Sequence, residues 1–284
     1  MDECDKAYSK DGEDMNLKKS SPMRISVPDQ NLFAYNDANV TTAYERHDIL
    51  HREEIIIFLR FRDAFLGKNV LDIGCGGGRT TGFLLPFCAK YTGIDYSSAM
   101  VQLCRKRFHG VDFHECDVRD MGMFPENCFD FILFSFNGID YVSHEDRLQG
   151  FNEIHRVLKH GGFFIFSSHN RMYMKNRKFP TKPWLERSFN PLKMFANIKK
   201  FLKRRENYSK TEVYFRNEAE YAIINDGAHD FSLATYYIDM ENQIKQIRDA
   251  NFSVEAVYNK QGICLDFNTK DELSGSFYYV TKKI

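Results

Sequence analysis

Nine residues constrain this chain more than any others: Val70-Leu71-Asp72-Ile73-Gly74-Cys75-Gly76-Gly77-Gly78. An apolar run with an acid near its end, a Gly-x-Gly turn and then a helical pattern read as a strand, a tight loop and a helix. Gly74 and Gly76 carry no Cβ, so the backbone there can turn sharply and come close to a ligand. The surrounding pattern alternates. Short apolar runs at residues 69–73, 91–94, 111–114, 129–136 and 163–167 are separated by helical stretches at 79–89, 97–108 and 144–158. The run at 129–136 is continuously apolar, as a strand buried on both faces must be. Strands and helices in this rhythm predict an α/β, Rossmann-like, doubly wound and mostly parallel sheet.

The flanks suggest how the 284 residues divide. Residues 1–40 are polar and weakly patterned and read as a partly disordered tail. Residues 41–65 turn helical, with Ile49, Ile56, Leu59, Phe61 and Phe65 near helical spacing. After Asn170 the rhythm breaks, and residues 171–210 hold thirteen Lys and Arg against two Glu. Residues 211–216, 221–225 and 231–238 then read as antiparallel strands, 240–250 as a helix, and 252–258 and 276–281 as strands that complete a seven-stranded sheet. The expected order is a tail (1–40), a core (41–170), a basic inserted cap or substrate lid (171–235) and the last part of the core sheet (236–284).

Composition narrows the function classes. Net charge is zero, which argues against nucleic acid as the default partner, although the basic stretch shows that charge is unevenly spread. The seven cysteines are odd in number and none shares Cys-x-x-Cys spacing, so no metal site or disulfide framework is expected and a reducing cytoplasmic setting fits. The longest apolar runs, 55–59 and 129–136, are too short to span a bilayer. Nothing in the sequence sets an oligomeric state.

Two cofactor classes use a glycine loop of this kind. A dinucleotide site has Gly-x-Gly-x-x-Gly, and here Arg79 stands at the third glycine's position. Asp72, two residues before Gly74, suits a cofactor that carries an ammonium group. Asp95 ends the next strand about twenty residues on, where an acid can accept hydrogen bonds from both hydroxyls of a ribose.

In this order, residues 70–78, Asp95, Cys116-Asp117-Val118 and the 129–136 run resemble the motifs of class I S-adenosylmethionine-dependent methyltransferases. The stretch Glu153-Ile154-His155-Arg156-Val157-Leu158-Lys159-His160-Gly161-Gly162 resembles the segment before strand five in that family's small-molecule branch, which includes glycine N-methyltransferases and ubiquinone-biosynthesis methyltransferases. The similarity covers roughly residues 41–170. It implies S-adenosyl-L-methionine as cofactor. It further implies that Asp72, Gly74 and Gly76 hold the methionine part, Asp95 the ribose, and Tyr96 the adenine face. Asp117 would accept from the adenine amino group and the Val118 backbone would pair with a ring nitrogen. Phe136 and Asn137 would lie near the methyl-bearing sulfur, Arg52 would pair with the cofactor carboxylate, and Tyr44 would cover the site.

The methyl acceptor is less legible. A hydroxyl acceptor gains from a general base, most often His, on loops at the carboxyl edge of the sheet. His169, with Asn170, follows strand five directly and is the first candidate for base or substrate ligand. His229 is the second, in the polar turn Asn225-Asp226-Gly227-Ala228-His229-Asp230, with Asp226 or Asp230 to orient it. Asp140 and Tyr141 lie on the loop after strand four. Of Tyr236 and Tyr237, neighbours on a strand, only one can face the site. His144, His155 and His160 read as structural or solvated. Residues 135–138 are Ser-Phe-Asn-Gly, without the Pro-Pro motif of enzymes that methylate base or glutamine amino groups. The basic insertion suits a solvated lid helix, a lid that recruits an anionic small molecule, or a contact with RNA or an acidic membrane surface. The leading expectation is methyl transfer to N or O of a small-molecule metabolite. An RNA or protein methyltransferase and a non-catalytic cofactor-binding module are the alternatives.

Overall fold

A computed structural model describes residues 27, 31–32, 35–36, 49–176 and 182–284. Helix α1 (Arg52–Arg60) precedes β1 (Asn69–Ile73), the short helix α2 (Thr81–Leu84), β2 (Lys90–Asp95), α3 (Ser98–Arg107) and β3 (Asp112–Glu115). Then come β4 (Phe129–Phe134), α4 (His144–Val157) and β5 (Leu158–His169). Local chemistry sets several of these ends. Ser97 accepts from the Met100 N–H and Ser143 from the Asp146 N–H, so each caps its helix. The helix expected at 79–89 shrinks to one turn because Pro86 has no N–H to extend the hydrogen-bond ladder.

The first five strands are parallel, with β1 between β4 and β2. Strand β11 (Ser276–Lys283) runs antiparallel to β5, and β9 (Phe252–Tyr258) antiparallel to β11. The full order is β10-β9-β11-β5-β4-β1-β2-β3. The sheet has eight strands rather than the expected seven, because Cys264–Leu265 adds a two-residue edge strand, β10. The strands carry apolar residues on both faces, so they bury two layers. Leu71, Ile73, Ile132 and Phe134 face α4 and helix α7 (Met240–Asp249), packing with Phe151, Ile154, Ile244 and Ile247. Val70, Phe131 and Leu133 face α1 and α3, packing with Ile57, Phe58, Val101 and Cys104.

Beyond α5 (Arg171–Asn176) lies α6 (Pro191–Thr211), followed by a three-stranded antiparallel sheet of β6 (Arg216–Asn217), β7 (Tyr221–Ile224) and β8 (Thr235–Ile238). The strand expected at 211–216 is instead the end of α6 and a 3-10 turn, because the Thr211 hydroxyl donates back to the Tyr208 carbonyl and keeps the chain helical. A bridge between Asn170 and Ile238 ties the small sheet to the end of β5. This arrangement leaves a crevice at the carboxyl ends of β1 and β4, where strand order reverses and ligands of open α/β sheets bind.

Candidate active site

The crevice encloses about 730 Å³, its open mouth included. Its floor is the turn after β1. Gly74 and Gly76 take φ of +62° and +55°, a left-handed backbone that favours glycine. A Cβ on Gly74 would lie 2.8 Å from Phe134, so loop and ring are in close contact. Asp95 binds that turn from the neighbouring strand: one carboxylate oxygen accepts from the Gly76 N–H at 2.9 Å and the other from the Ser97 N–H at 2.9 Å. Burial nonetheless pushes the Asp95 carboxyl up to about 6. The walls are apolar and aromatic, formed by Ile73, Tyr96, Met100, Val118, Phe134 and Tyr141.

Such walls suit a flat base, and Asp95 and Asp117 set acceptors beside it. No Lys or Arg lines the crevice among the described residues. A nucleoside without phosphate fits this donor set. The lining therefore matches a sulfonium nucleoside.

Several expected residues do lie together. Gly74, Gly76, Asp95, Tyr96, Asp117, Val118 and Phe136 all line the crevice. Asp117 is held by Arg119 at 2.6 Å, which leaves its carboxylate partly engaged. Asp72 sits behind the loop rather than in the crevice. One of its oxygens accepts from the Thr80 hydroxyl (2.5 Å) and the Tyr91 hydroxyl (2.7 Å), while the other is buried without a partner among the described residues. Burial pushes this carboxyl up to about 6.

Arg52 is exposed at the start of α1 and borders no part of the crevice. The arginine beside it is Arg79, whose guanidinium lies 5.3 Å over the Phe136 ring and donates to the Ser135 hydroxyl at 3.2 Å. Glu54, one turn into α1, clamps Arg79 with two bonds of 2.5 and 2.7 Å and accepts from the Tyr278 hydroxyl at 2.5 Å. Burial raises the Glu54 carboxyl, but Arg79 and Tyr278 outweigh it and hold Glu54 below the usual carboxylate range. Tyr44 lies outside the described residues; among those described, Tyr35 lines the crevice. It makes edge contacts with Tyr96 (6.0 Å) and Tyr141 (5.6 Å). Asn31 anchors this segment by donating to the carbonyls of Tyr141 (2.8 Å) and Ala234 (3.2 Å).

Behind Tyr141 of the crevice wall stands His169, its ring edge-on to that tyrosine at 6.3 Å. Its Nδ1 lies 2.7 Å from the Asp140 carboxylate, which leaves Nε2 to face the Asn137 side-chain amide at 3.2 Å. Asn137 takes φ +59°, and its Oδ1 is buried without a partner among the described residues. Asp140 is itself fully buried against Arg147 (2.5 Å) and the Ser168 hydroxyl (2.8 Å). Tyr237 is the tyrosine that faces the site, 4.9 Å from the His169 ring, while Tyr236 points away and stacks on Tyr221. His144 bonds the Tyr236 hydroxyl and is structural.

His229 departs from expectation. It is exposed, at φ +47°, with its ring edge-on to Tyr35 at 5.9 Å. Of the acids beside it, Asp226 accepts from the Tyr237 hydroxyl (2.8 Å) and Asp230 from Arg204 (3.0 Å). Sequence reasoning missed Arg147 altogether, since an arginine on a helix reads as a surface charge. It also missed Tyr35, which falls in a stretch with no apolar period.

Comparison with known proteins agrees with this geometry. Residues 70–162 match the model of a methyltransferase domain family. A probable S-adenosylmethionine-dependent methyltransferase of Mycolicibacterium smegmatis is 28% identical over 140 residues, covering 49% of this chain and 53% of the relative. A fatty-acid O-methyltransferase of the same organism is 33% identical over 111 residues, covering 38% and 39%. The chain thus spans about half or less of the length of these relatives. In fold, a crystallised S-adenosylmethionine-dependent methyltransferase from Clostridium acetobutylicum superposes with a TM-score of 0.57 at 14% identity, covering 87% of this chain and 97% of that one.

Fold, crevice and matched segment agree: residues 70–162 are similar to methyltransferase domains, and the fold is shared with an S-adenosylmethionine-dependent methyltransferase. Of the relatives matched over part of their length, one acts by its name on a fatty acid. Among the described residues no helix is long and apolar enough to cross a membrane.

Proposed function

We propose that the protein transfers the methyl group of S-adenosylmethionine to a hydroxyl oxygen of a small molecule, with His169 as the general base. The observation that carries this reading is the Asp140–His169 pair beside Tyr141 of the crevice wall. When bound, S-adenosylmethionine supplies a methyl group already activated on a sulfonium. What remains for the protein is to align the acceptor, exclude water and remove one proton.

In this reading Gly74 and Gly76 hold the aminocarboxypropyl end, Asp95 the ribose hydroxyls, and Tyr96 and Val118 the adenine, with Asp117 at its amino edge. Asp140 accepts from Nδ1 of His169, so Nε2 carries the lone pair that the Asn137 amide N–H now meets; an entering hydroxyl would displace that amide and give Nε2 its proton as the O–C bond forms and the S–CH3 bond breaks, its electron pair remaining on sulfur. The resulting imidazolium is then stabilised by the Asp140 carboxylate. The unpartnered Oδ1 of Asn137 offers an entering hydroxyl a second contact. Tyr237 and the capping segment 171–235 form the acceptor's outer wall. An oxygen acceptor is favoured over an amine because a neutral amine needs no such base, and one matched relative is a fatty-acid O-methyltransferase.

Titration calorimetry with S-adenosylmethionine tests the cofactor half, and absence of binding would remove the reading. A radiolabelled-methyl assay over hydroxyl, carboxyl and amine acceptors tests the other half. Transfer to amines alone, undiminished in His169→Gln, would rule out the oxygen-directed mechanism.

A further inference from the structure

We infer that helix α6 docks this protein on the surface of an anionic lipid bilayer. Its sequence sets up a two-sided helix. Asn190 caps it by accepting from the Leu192 and Lys193 N–H groups at 3.0 and 3.2 Å, and Pro191 occupies the first turn. One side faces the body. Arg204 is buried there, bonded to Asp230 and Glu186 and 4.9 Å over the Trp184 ring, and Tyr208 packs near Phe231.

The other side faces outward, yet it is apolar. Leu192, Phe195, Ile198 and Leu202 follow at intervals of three, three and four residues, which places them in one stripe. Their exposures are 83%, 59%, 38% and 57%, and Phe189, just before the helix, is fully exposed. Edging the stripe are Lys199, Lys203 and Arg205, none with an ion-pair partner among the described residues; Lys199 meets the Phe195 ring, at 4.8 Å. The acids of this stretch are already engaged, Glu186 by Arg204 and Glu206 by Lys210.

An aliphatic stripe edged with lysines matches an interfacial helix: the apolar side chains enter the acyl boundary and the long basic ones reach lipid phosphates. RNA would satisfy the lysines but offers nothing to Leu192, Ile198 and Leu202. A second copy of the chain would bring two like-charged faces together. The bilayer is the one occupant that meets both halves of the surface. The orientation also has a consequence for the crevice. Arg204 and Asn207 hold Asp230, and the adjoining His229 leans on Tyr35, which covers the crevice. Docking through α6 would therefore set the capping segment at the membrane surface.

Docking does not depend on the methyl-transfer reading, and its test reads binding alone. The full chain is sedimented with phosphatidylcholine vesicles, with and without phosphatidylglycerol. We expect it to pellet with the anionic vesicles and to remain in solution with the neutral ones. Each basic residue near an anionic leaflet strengthens binding about fivefold, so K199E/K203E/R205E should weaken it by a factor of about a hundred. F195S/L202S, which touches only exposed side chains, should weaken it about tenfold or more. Equal partition onto neutral vesicles, or undiminished binding by either variant, would overturn the proposal. So would retention by poly(U) RNA without vesicle binding, or a lipid-free dimer that F195S/L202S dissolves.

Discussion

Asp140 grips His169 twice through one oxygen: Oδ2 accepts from the ring Nδ1 at 2.7 Å and from the residue's own backbone N–H at 2.7 Å. The second bond fixes where the ring begins and the first fixes how it turns, so tautomer and direction are set together. If His169 is the base, His169→Gln should lower kcat by roughly 10²–10⁴-fold while cofactor affinity and thermal stability stay unchanged. Single-turnover rates and calorimetric titration of the same preparation separate the two. Loss of cofactor binding in step with rate would make the residue structural.

Arg147 is the reason a carboxylate can sit there at all. With no exposed side-chain surface, it donates to Asp140 (2.5 Å), Gln243 (2.6 Å), Gln246 (2.9 Å), Ser168 (3.1 Å) and the Ile139 carbonyl (3.0 Å), with its guanidinium 4.6 Å over the Tyr236 ring. Removing one partner of a buried pair strands the other charge, at about 3–5 kcal/mol. Arg147→Met should therefore lose about that much in urea unfolding. Arg147→Met with Asp140→Asn should lose less than the two single changes added, because no bare charge remains.

These two residues mark the division between what could and could not be read from the chain. The parallel core was legible because each strand is an apolar run between glycine or acidic turns, and Gly74, Asp95 and Asp117 keep fixed places along it. His169 was legible at the carboxyl end of β5. Its partner was harder: Asp140 was visible as a loop acid, but the 2.7 Å contact joins residues 29 apart and depends on a network no local pattern encodes. That Arg52 and His229 lie exposed was hidden for the same reason, since charge and loop position do not reveal which way a side chain turns. α6 was visible as basic, but its outward apolar face emerges only once Arg204 and Tyr208 are seen to face inward.

Asp95 carries a pH signature. Its folded carboxyl lies near 6 because burial raises it, against about 3.9 for an unperturbed Asp. The folded state thus binds the proton more tightly than the unfolded state. The associated destabilisation is complete above pH 6 and fades as pH falls toward 4, so ligand-free protein should gain stability from pH 7 to pH 5. For a two-unit shift the effect approaches about 3 kcal/mol; Asp72, raised likewise to about 6, acts in the same direction. Cofactor affinity should move the opposite way, falling about tenfold per pH unit below 6, because the protonated acid accepts poorly. Urea unfolding and calorimetric titration across this range check both slopes, and Asp95→Asn should flatten the second. An affinity independent of pH would show that Asp95 does not take the ribose as its ionised form.

Phe134 ends β4 with its ring wedged between two glycines from different loops. A Cβ at Gly74 would come 2.8 Å from the ring, and one at Gly138 only 2.2 Å. Gly138 is not in the left-handed region, so alanine there is acceptable to the backbone and the clash with Phe134 is the whole of its effect. The ring lines the crevice, and its displacement changes the slot meant for the cofactor. Gly138→Ala should cost about 1–3 kcal/mol through overpacking and weaken S-adenosylmethionine binding. Adding Phe134→Leu removes the atoms that collide, and should recover part of both losses even though Phe134→Leu alone opens a void. If the double variant binds no better than Gly138→Ala, the glycine acts through the turn itself and not through the ring beneath it.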